Sequence, residues 1–404
     1  AEDLPEDSRM DFPPTRQAAL ARIDAVRPED YARSRNAIEG AVTYLSPYIT
    51  HGLVSLPEVL AGVTARHPLD VQHKFVFELG WREYFRHVWG HRGMGIMDSL
   101  HEGVLPDARY ASQLPPDIRE AATGVSVIDR AVRSLYATGY LHNHARMWLA
   151  SYVVHLRKVH WRVAADWLYG HLLDGDLASN HLSWQWVAGT GSRKPYLFNA
   201  DNVARYAPAA WHSPGSVIDR SYEALDAIAR QAPAPVRAGD DASADETARL
   251  EPPLRTAPPA GLGGTPPDPA AVADREVWLV HPWNLCDLPE SLPQDAVVVG
   301  LFLTDFHCAW PWSDRRWRFV AQRMAELASI RWQGDAASIG AALHGARQVR
   351  SVDEPHLRPW LARWAGCEAA PTIFPMVDRR CDSFSQWWNR ASRGVGDAAE
   401  LLTV

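Results

Sequence analysis

The stretch "DGDLASNHLSWQW", residues 174–186, places two aspartates, an asparagine and two tryptophans close together. If this stretch is helical, Asp176, Asn180 and Trp184 lie four positions apart and share one face, while Trp186 points elsewhere. One face of the helix is then polar and ends in an indole. Such a face needs a polar partner inside a protein, because burying unpaired polar groups is costly.

The composition is that of an ordinary globular protein with room for two or three domains. The chain has 404 residues, of which 47% are hydrophobic and 22% are charged. A net charge of −7 gives no overall attraction for nucleic acid, so DNA binding would need a local patch of arginines. The 18 tryptophans are several times the usual share and make an aromatic cofactor or an electron path worth testing.

The cysteines indicate a reducing compartment. All four lie in the last third of the chain without CxxC spacing, which predicts free thiols and no iron–sulfur, zinc or other metal site: Cys286, Cys308, Cys367 and Cys381. No apolar run approaches the roughly 18 residues that a membrane span requires. The acidic opening "AEDLPEDSRMDFPP" is unlike a signal peptide. We therefore expect a cytoplasmic monomer that does not enter a membrane.

Apolar periodicity divides the chain into three parts. Residues 1–230 predict an all-α domain, with apolar residues three and four apart in the segments 56–66, 71–90, 125–139 and 143–159. Residues 231–275 are rich in Pro and Ala and predict a linker. Residues 276–404 alternate short apolar strands with helices and predict a small α/β, Rossmann-like domain with a parallel sheet, although no GxGxxG follows its first strand. The predicted strands and helices are 276–281, 296–303, 315–328, 329–333, 337–346 and 347–352.

Two more helical segments carry mixed polar and aromatic faces. Glu78, Trp81 and Arg82 share one face, although in isolation a surface Glu–Arg pair over a core tryptophan is the better explanation of that pattern. Asn143, Arg146 and Met147 share another face.

The flanking His142 and His144 tempt a metal interpretation, but residues two apart on a helix diverge. Arg146 could instead form a bidentate pair with an aspartate of the stretch 174–186. A buried ligand with its own hydrogen-bonding edge would satisfy all three polar faces.

Four long motifs, in their order and at their separations, resemble the flavin-binding helical domain of the photolyase/cryptochrome family. They are "TYLSPYITHGLVS", "FELGWREYFRHVW", "LHNHARMWLASY" and "LLDGDLASNHLSWQWVAGTG…FNADNVARYAP", within roughly residues 15–215. The α/β segment, including "DSFSQWWNRAS", is similar to that family's antenna-binding domain. The domain order is reversed here, because the family normally places the antenna domain first.

The resemblance implies FAD as cofactor, held by a defined set of residues. Thr43, Leu45 and Ser46 would hold the diphosphate, and Arg146 and Asp174 would pair beside the ring system. The position of Asn180 matches an asparagine that photolyases keep near the flavin's reducible nitrogen, where plant cryptochromes have aspartate. The complete implied set is Tyr31, Thr43, Leu45, Ser46, Phe75, Glu78, Arg82, Asn143, Arg146, Asp174, Asp176 and Asn180.

The resemblance also implies a substrate pocket, an electron path and DNA contacts. A flipped pyrimidine dimer would be received by Glu78, Trp81, Asn143, Met147 and Trp186. Electrons would pass through Trp184 and Trp161, while Ile118 stands where the family usually has the outer tryptophan, so that Trp167 or Tyr169 would end the path or photoreduction would be impaired. Arg35 and Arg193 would contact phosphates of ultraviolet-damaged DNA.

The activity implied is that of a deoxyribodipyrimidine photolyase, a carbon–carbon lyase that splits cyclobutane pyrimidine dimers in light by electron transfer from reduced FAD. Histidines would be expected in place of Asn143 and Met147 in a six-four photolyase, which leaves that enzyme as a weaker alternative. A cryptochrome-like blue-light photoreceptor without repair activity is the other alternative, and a flavin-binding fold without photochemistry is a third. A second, antenna chromophore is possible, and its identity stays open.

Overall fold

The computed structural model describes residues 8–233 and 250–403. Its longest helix is 19 residues long, and the predicted helical segments are all occupied by helices. The α-helices of the described residues are α1 Arg16–Asp24, α2 Pro28–Ser34, α3 Ser46–Thr50, α4 Leu56–Thr64, α5 Lys74–Arg92, α6 Pro116–Arg119, α7 Ser126–Thr138, α8 Asn143–Ser151, α9 Trp161–His171, α10 Leu177–Ala188, α11 Ala200–Tyr206, α12 Tyr222–Arg230, α13 Thr304–Ala309, α14 Asp314–Leu327, α15 Ala336–Leu343, α16 Trp360–Trp364 and α17 Phe384–Ala391.

The strands form a five-stranded parallel sheet and a small antiparallel pair. The strands are β1 Leu254–Arg255, β2 Glu276–Val280, β3 Val297–Leu303, β4 Trp312–Ser313, β5 Ile330–Gly334, β6 Gln348–Val352 and β7 Gly366–Glu368. The parallel sheet has the order β5-β3-β2-β6-β7, and β1 pairs with β4. A helical domain and a separate parallel-sheet domain are both present, so the predicted fold class is confirmed.

The chain divides into two compact units. Of the described residues, the helical unit comprises 27–42, 84–233 and 250–252, and the sheet unit comprises 8–26, 43–83 and 253–403. The sheet unit thus contains α1, α3, α4 and the first half of α5 as well as the sheet. The predicted division into domains at residues 230 and 276 stays a prediction.

The core of the helical unit lies among α7, α8, α9 and α10. Trp148 on α8 and Val132 on α7 are fully buried in it. The indole nitrogen of Trp148 donates to Asn202 Oδ1 at 2.9 Å, so even this deep tryptophan has its polar atom satisfied. This apolar core fixes α8 and α10, the two helices that carry half of the predicted site residues of the unit.

Helix α10 begins and ends at side chains and backbone suited to those positions. Asp176 caps its N-terminus by accepting from the Ser179 backbone N–H at 2.9 Å. Gly189 ends it with a φ of 83°, a left-handed conformation that other residues rarely adopt. Between them, the fully buried amide of Gln185 bonds to Ile96 O, Asp98 O, Leu100 N and Thr190 Oγ1 at 2.8–2.9 Å. Gln185 therefore holds residues 96–100 against α10.

The predicted linker is partly described. Residues 234–249 lie outside the described residues. Residues 250–275 include β1 and a parallel bridge between Thr265 and Trp332, in which the Thr265 N–H donates to Arg331 O at 2.8 Å. This part of the predicted linker thus follows an edge of the parallel sheet.

The described residues contain neither a membrane-spanning helix nor a cluster of metal-binding side chains. Within 8–233 and 250–403, no helix is long and apolar enough to cross a membrane. Over the same ranges, no group of three or more His, Cys, Asp or Glu side chains is placed to hold a metal ion.

Gly80 on α5 allows a close approach by the C-terminal helix α17. A Cβ atom added at Gly80 would lie 2.7 Å from Cζ3 of Trp388, whose ring is buried and packs against Phe77 and Phe374. We expect Gly80→Ala to destabilise the protein by about 1–3 kcal/mol, because the rigid indole cannot move away. Urea unfolding measures the change.

Gly90 provides the matched control in the same helix. It is exposed, and an added Cβ would meet nothing within 4 Å. Gly90→Ala should therefore stabilise the protein by about 0.5–1 kcal/mol through helix propensity alone. Equal effects at the two positions would contradict the close packing of Trp388 on Gly80.

Candidate functional site

The predicted site residues divide between the two units, and each set is described within its own unit. The helical unit holds Tyr31, Arg35, Asn143, Met147, Arg146, Trp161, Asp174, Asp176, Asn180, Trp184, Trp186 and Arg193. The sheet unit holds Thr43, Leu45, Ser46, Phe75, Glu78, Trp81 and Arg82.

Arg146 on α8 faces Asp174 in a bidentate pair. Its Nη1 and Nη2 donate to the two carboxylate oxygens at 3.0 and 2.7 Å, and its Nε donates to Leu141 O at 2.9 Å. The Asp174 side chain is only 4% exposed. Burial opposes the charge on Arg146, but Asp174 favours it more, and the pKa of Arg146 is raised. The pair is a fixed, buried array of charged donors and acceptors, and its place beside a flavin stays a prediction.

Asp176 makes a second buried ion pair that sequence reasoning missed. Arg86 on α5 donates from Nη2 to Asp176 Oδ1 at 2.5 Å, while Asp176 Oδ2 caps α10. The Asp176 side chain is 1% exposed. Arg86 and Asp176 are 90 positions apart, so no local sequence signal connects them.

Asn180 is half-buried on α10 and its amide is fixed in orientation. Its Nδ2 donates to Ala165 O at 2.9 Å. Because a carbonyl oxygen can only accept, this bond assigns the amide and turns Oδ1 the other way. In the described part of the chain, Oδ1 of Asn180 has no hydrogen-bond donor. It is available as an acceptor.

Asn143 and Met147 lie together at the start of α8. Asn143 is exposed, and its Nδ2 lies 3.7 Å from the sulfur of the half-buried Met147. His142 caps the helix by accepting from the His144 N–H at 2.9 Å. His144 in turn is bonded to Asn36 O at 2.9 Å through Nδ1. Both histidines thus serve the local structure around Asn143.

Trp186 is an unusually exposed tryptophan, supported from behind by Tyr196. It is 44% exposed, and its ring centroid lies 5.7 Å from that of Tyr196. The Tyr196 hydroxyl lies 3.4 Å from His144 Nε2, next in sequence to Asn143. Tyr196, which sequence reasoning also missed, therefore connects the exposed indole on α10 with His144 on α8.

The predicted electron-path residues lie in the core. Trp184 and Trp161 are each 2% exposed, and the Trp161 indole donates to Ser99 Oγ at 2.9 Å. Ile118 on α6 is fully buried. Of the two alternative outer aromatics, Tyr169 is fully buried and Trp167 is 8% exposed. None of these placements tests electron transfer, which stays a prediction.

The three remaining predicted residues of the helical unit differ in exposure. Tyr31 on α2 is buried, Arg35 at the end of α2 is half-buried, and Arg193 is exposed. Arg193 is accessible to a large partner. Arg35 is the residue at which α2 ends. Their roles stay predictions.

In the sheet unit, the "TYLS" residues lead into α3, which begins at Ser46. Tyr44 adopts a left-handed φ of 52°, and its carbonyl accepts from Arg22 Nη1 at 2.9 Å. Leu45 is buried, while Thr43 and Ser46 are half-buried with polar side chains. The hydroxyls of Thr43 and Ser46 could therefore donate hydrogen bonds to phosphate oxygens.

Trp81 on α5 is stacked against the C-terminal segment. Its ring lies 4.2 Å from that of Phe384 at an interplanar angle of 11°. Glu78, Trp81 and Arg82 are all half-buried, and Phe75 is buried. Phe384 thus holds one face of the Trp81 ring within the sheet unit, which the sequence pattern did not predict.

Glu83 is a further buried acid on α5. Its two oxygens accept from the backbone N–H groups of Ile373 and Phe374 at 2.9 and 3.1 Å. Burial raises the pKa of Glu83 to about 7, against the opposing effect of these two bonds. Glu83 anchors the segment that precedes α17.

The carboxyl edge of the sheet carries an aromatic stack of its own. Connections leave β2 and β6 in opposite directions, and such a reversal is where open α/β sheets commonly bind ligands. There the Trp283 ring lies parallel to that of His356 at 4.6 Å, and His356 bonds to Glu354 at 2.7 Å. The protein's own side chains occupy this position. The possible second chromophore stays a prediction.

The helical unit suits a flavin by its donor and acceptor set. The rings of flavins present both N–H and carbonyl groups. Two buried carboxylates, each held by an arginine, and the free amide oxygen of Asn180 supply matching acceptors, while Arg146 supplies donors. This set of charged groups in an apolar core is the observation that fits the cofactor.

Part of the chain matches a known protein family. Residues 75–220 match the family model described as the FAD binding domain of DNA photolyase. This segment belongs to the photolyase/cryptochrome family. The matched domain is an FAD-binding one, and FAD is therefore confirmed as the predicted cofactor class.

Curated relatives of this family cover only part of the chain. Similarity is 31% identity over 213 residues to a deoxyribodipyrimidine photo-lyase of Synechococcus, spanning 48% of this chain and 43% of that protein. It is 34% over 206 residues to a photo-lyase of Thermus thermophilus, spanning 48% and 47%. It is 32% over 222 residues to the cryptochrome DASH of Ostreococcus tauri, spanning 51% and 40%. The chain spans less than half the length of these relatives.

A solved structure of the same family gives a weaker likeness. The cryptochrome of Synechocystis aligns with a TM-score of 0.43 and 28% identity, covering 48% of this chain and 43% of that one.

Proposed function

We propose that the protein is a light-driven DNA repair enzyme that splits cyclobutane pyrimidine dimers in ultraviolet-damaged DNA. One observation supports this proposal above the others. Trp186, 44% exposed, is tied through Tyr196 to the region of Asn143, so that a stacking surface and a hydrogen-bonding amide face solvent from neighbouring helices. Such a combination suits a base taken out of a DNA duplex.

The chain's own residues would bind and orient both partners. FAD, when bound and reduced, supplies the light-absorbing electron donor. The ring and ribose of the cofactor would be held by two ion pairs, Arg146 with Asp174 and Arg86 with Asp176. Asn180 Oδ1 would accept a hydrogen bond from an N–H group of the ring. The buried core around Trp184 would exclude water from the cofactor. Asn143 would hydrogen-bond the pyrimidine edge, and Trp186 would stack on its face.

A blue-light photoreceptor of cryptochrome type is the second candidate. Relatives named cryptochrome DASH match at 32% and 29% identity, alongside relatives named photo-lyase at 29–34%. A photoreceptor would change its absorption in light without restoring damaged DNA. A six-four photolyase would restore a different photoproduct.

Binding of damaged DNA in the dark tests the stacking surface. We expect Trp186→Ala to weaken binding of an oligonucleotide that carries one thymine cyclobutane dimer by about 1–3 kcal/mol, the usual contribution of base–aromatic stacking. Titration with a fluorescently labelled oligonucleotide measures this change. Affinity for the undamaged oligonucleotide should stay the same.

Tyr222→Ala is the matched control, because Tyr222 is an aromatic side chain of the same unit with 48% exposure and no predicted role. It should leave both affinities unchanged. Equal losses in the two variants, or no loss for Trp186→Ala, would reject Trp186 as the stacking residue.

A further inference from the structure

The buried indole of Trp161 is the start of a hydrogen-bonded path to solvent. Trp161 begins α9 and is 2% exposed, and its Nε1–H donates to Ser99 Oγ at 2.9 Å. The Ser99 hydroxyl donates onward to Asp107 Oδ1 at 3.0 Å. The Asp107 side chain is 49% exposed. Two hydrogen bonds therefore lead from a core nitrogen to a carboxylate in contact with water.

Both intermediate groups are held in place by separate contacts. Gln185 bonds to the backbone of Asp98 and Leu100 on either side of Ser99, at 2.8 and 2.9 Å. His160 Nε2 lies 3.5 Å from the second oxygen of Asp107. Both groups of the path therefore have contacts beyond the path itself.

We propose that Ser99 and Asp107 form a proton exit for Trp161, which lets an oxidised Trp161 become a neutral radical in place. This inference rests on the proposed function, which needs reduced FAD. The oxidant here is the photoexcited flavin in its oxidised form, and Trp161 supplies the electron to it through Trp184. When Trp161 loses one electron, its N–H bond becomes strongly acidic. The proton passes to Ser99 Oγ while the Ser99 hydroxyl proton passes to Asp107, whose acid form then releases a proton to water.

Trp161 loses one electron, which the oxidised flavin gains through Trp184, and one proton, which leaves through Ser99 and Asp107. The N–H bond breaks, an O–H bond of Ser99 is exchanged, and the carboxylate of Asp107 carries the proton out. A neutral radical avoids the cost of a charge in the apolar core and no longer attracts the electron back as a cation does. The exit is useful in this chain because Ile118, at the position matched to the outer tryptophan, is aliphatic and fully buried.

Transient absorption after a blue flash tests the exit in protein loaded with oxidised flavin. The cation and neutral forms of a tryptophan radical have distinct spectra. In the wild type we expect conversion from the cation to the neutral form, slower in heavy water. In Ser99→Ala and Asp107→Asn we expect the radical to stay in its cation form. It should regain its electron from the flavin faster than the wild-type radical does, by a factor on the order of 10².

Tyr110→Phe is the matched control, since the Tyr110 ring lies 6.4 Å from that of His160 and is the neighbouring alternative as an electron source. It should leave the tryptophan radical unchanged. Conversion at the wild-type rate in Ser99→Ala and Asp107→Asn would overturn the proposal, as would a tyrosine radical that Tyr110→Phe abolishes. Absence of any tryptophan radical in the wild type would refute the electron path and the exit with it.

Two further measurements separate the exit from the proposed function. The nitrogen-15 signal of the Trp161 indole, identified by its loss in Trp161→Phe, should shift in Ser99→Ala without flavin, and an unchanged signal would overturn the hydrogen-bonded path. Dimer repair by chemically reduced wild-type protein does not require the exit, so its failure would refute the proposed function alone.

Discussion

Arg146→Met is expected to lower the free energy of unfolding by about 3–5 kcal/mol, which is the usual effect of leaving one partner of a buried ion pair without the other. Asp174 would keep its buried carboxylate, 4% exposed, without the guanidinium that donates two hydrogen bonds to it. Urea unfolding measures the loss. Retention of FAD, followed by its absorbance after gel filtration, should fall in parallel.

An exposed Arg–Asp pair of the same unit provides the control. Arg230 bonds to Asp226 at 2.8 Å on the surface of α12, and Arg230→Met should leave the unfolding midpoint unchanged. The double variant Arg146→Met with Asp174→Leu should be more stable than Arg146→Met alone, because no unpaired carboxylate is left. If Arg146→Met lowers the free energy of unfolding no more than Arg230→Met does, the buried pair does not stabilise the protein as expected.

The second large effect concerns pH. His155 donates from Nε2 to Val187 O at 2.8 Å and is fully buried. Burial, with smaller contributions from the charges of Lys158 and Arg230, lowers the pKa of His155 to about 4. Between pH 6.5 and 4 the unfolded chain therefore binds a proton that the folded chain does not. The contribution of His155 to stability is present above pH 6.5 and is lost as the pH falls toward 4, by about 3 kcal/mol.

His155→Gln removes this titration and keeps a donor for Val187 O. We expect its free energy of unfolding to fall less steeply with pH than that of the wild type between pH 6.5 and 4. The difference in slope should correspond to the uptake of about one proton on unfolding. Above pH 7 the difference between the two proteins should be constant, which is an internal control. Parallel curves through the whole acid range would contradict the buried, neutral state of His155.

The sequence was sufficient for the elements and for contacts that a motif specifies. Apolar periodicity located α5, α7 and α8, and alternation of strands and helices predicted the parallel sheet. A pair between Arg146 and an aspartate of the stretch 174–186 followed from the polar faces, and the resemblance specified Asp174. These features depend on local spacing or on a resemblance carried by long motifs.

Other parts of the candidate site depend on contacts between distant positions. Arg86 reaches Asp176 across 90 positions, and the ring of Phe384 stacks on Trp81 from the far end of the chain. Nothing in the local pattern around these residues distinguishes them from surface arginines or core aromatics. Ser99 belongs to the same class, because its partners come from two other segments.

Gln185 shows a signal that could have been used. It stands between the two tryptophans of "HLSWQW", at a helix position with apolar neighbours one turn away, where a polar side chain needs internal partners. Its four hydrogen bonds to residues 96–100 and 190 are those partners. A buried amide in a helix therefore indicates a packed loop, although its sequence position does not say which loop.

The most direct test is light-dependent repair. Chemically reduced, FAD-loaded protein is incubated with an oligonucleotide that holds one thymine cyclobutane dimer, in blue light and in darkness, and restored thymines are counted by chromatography. Restoration in light and none in darkness is the predicted result. No restoration in light by protein with fully reduced FAD, while light still changes the flavin absorbance, would contradict repair of this lesion and favour a photoreceptor.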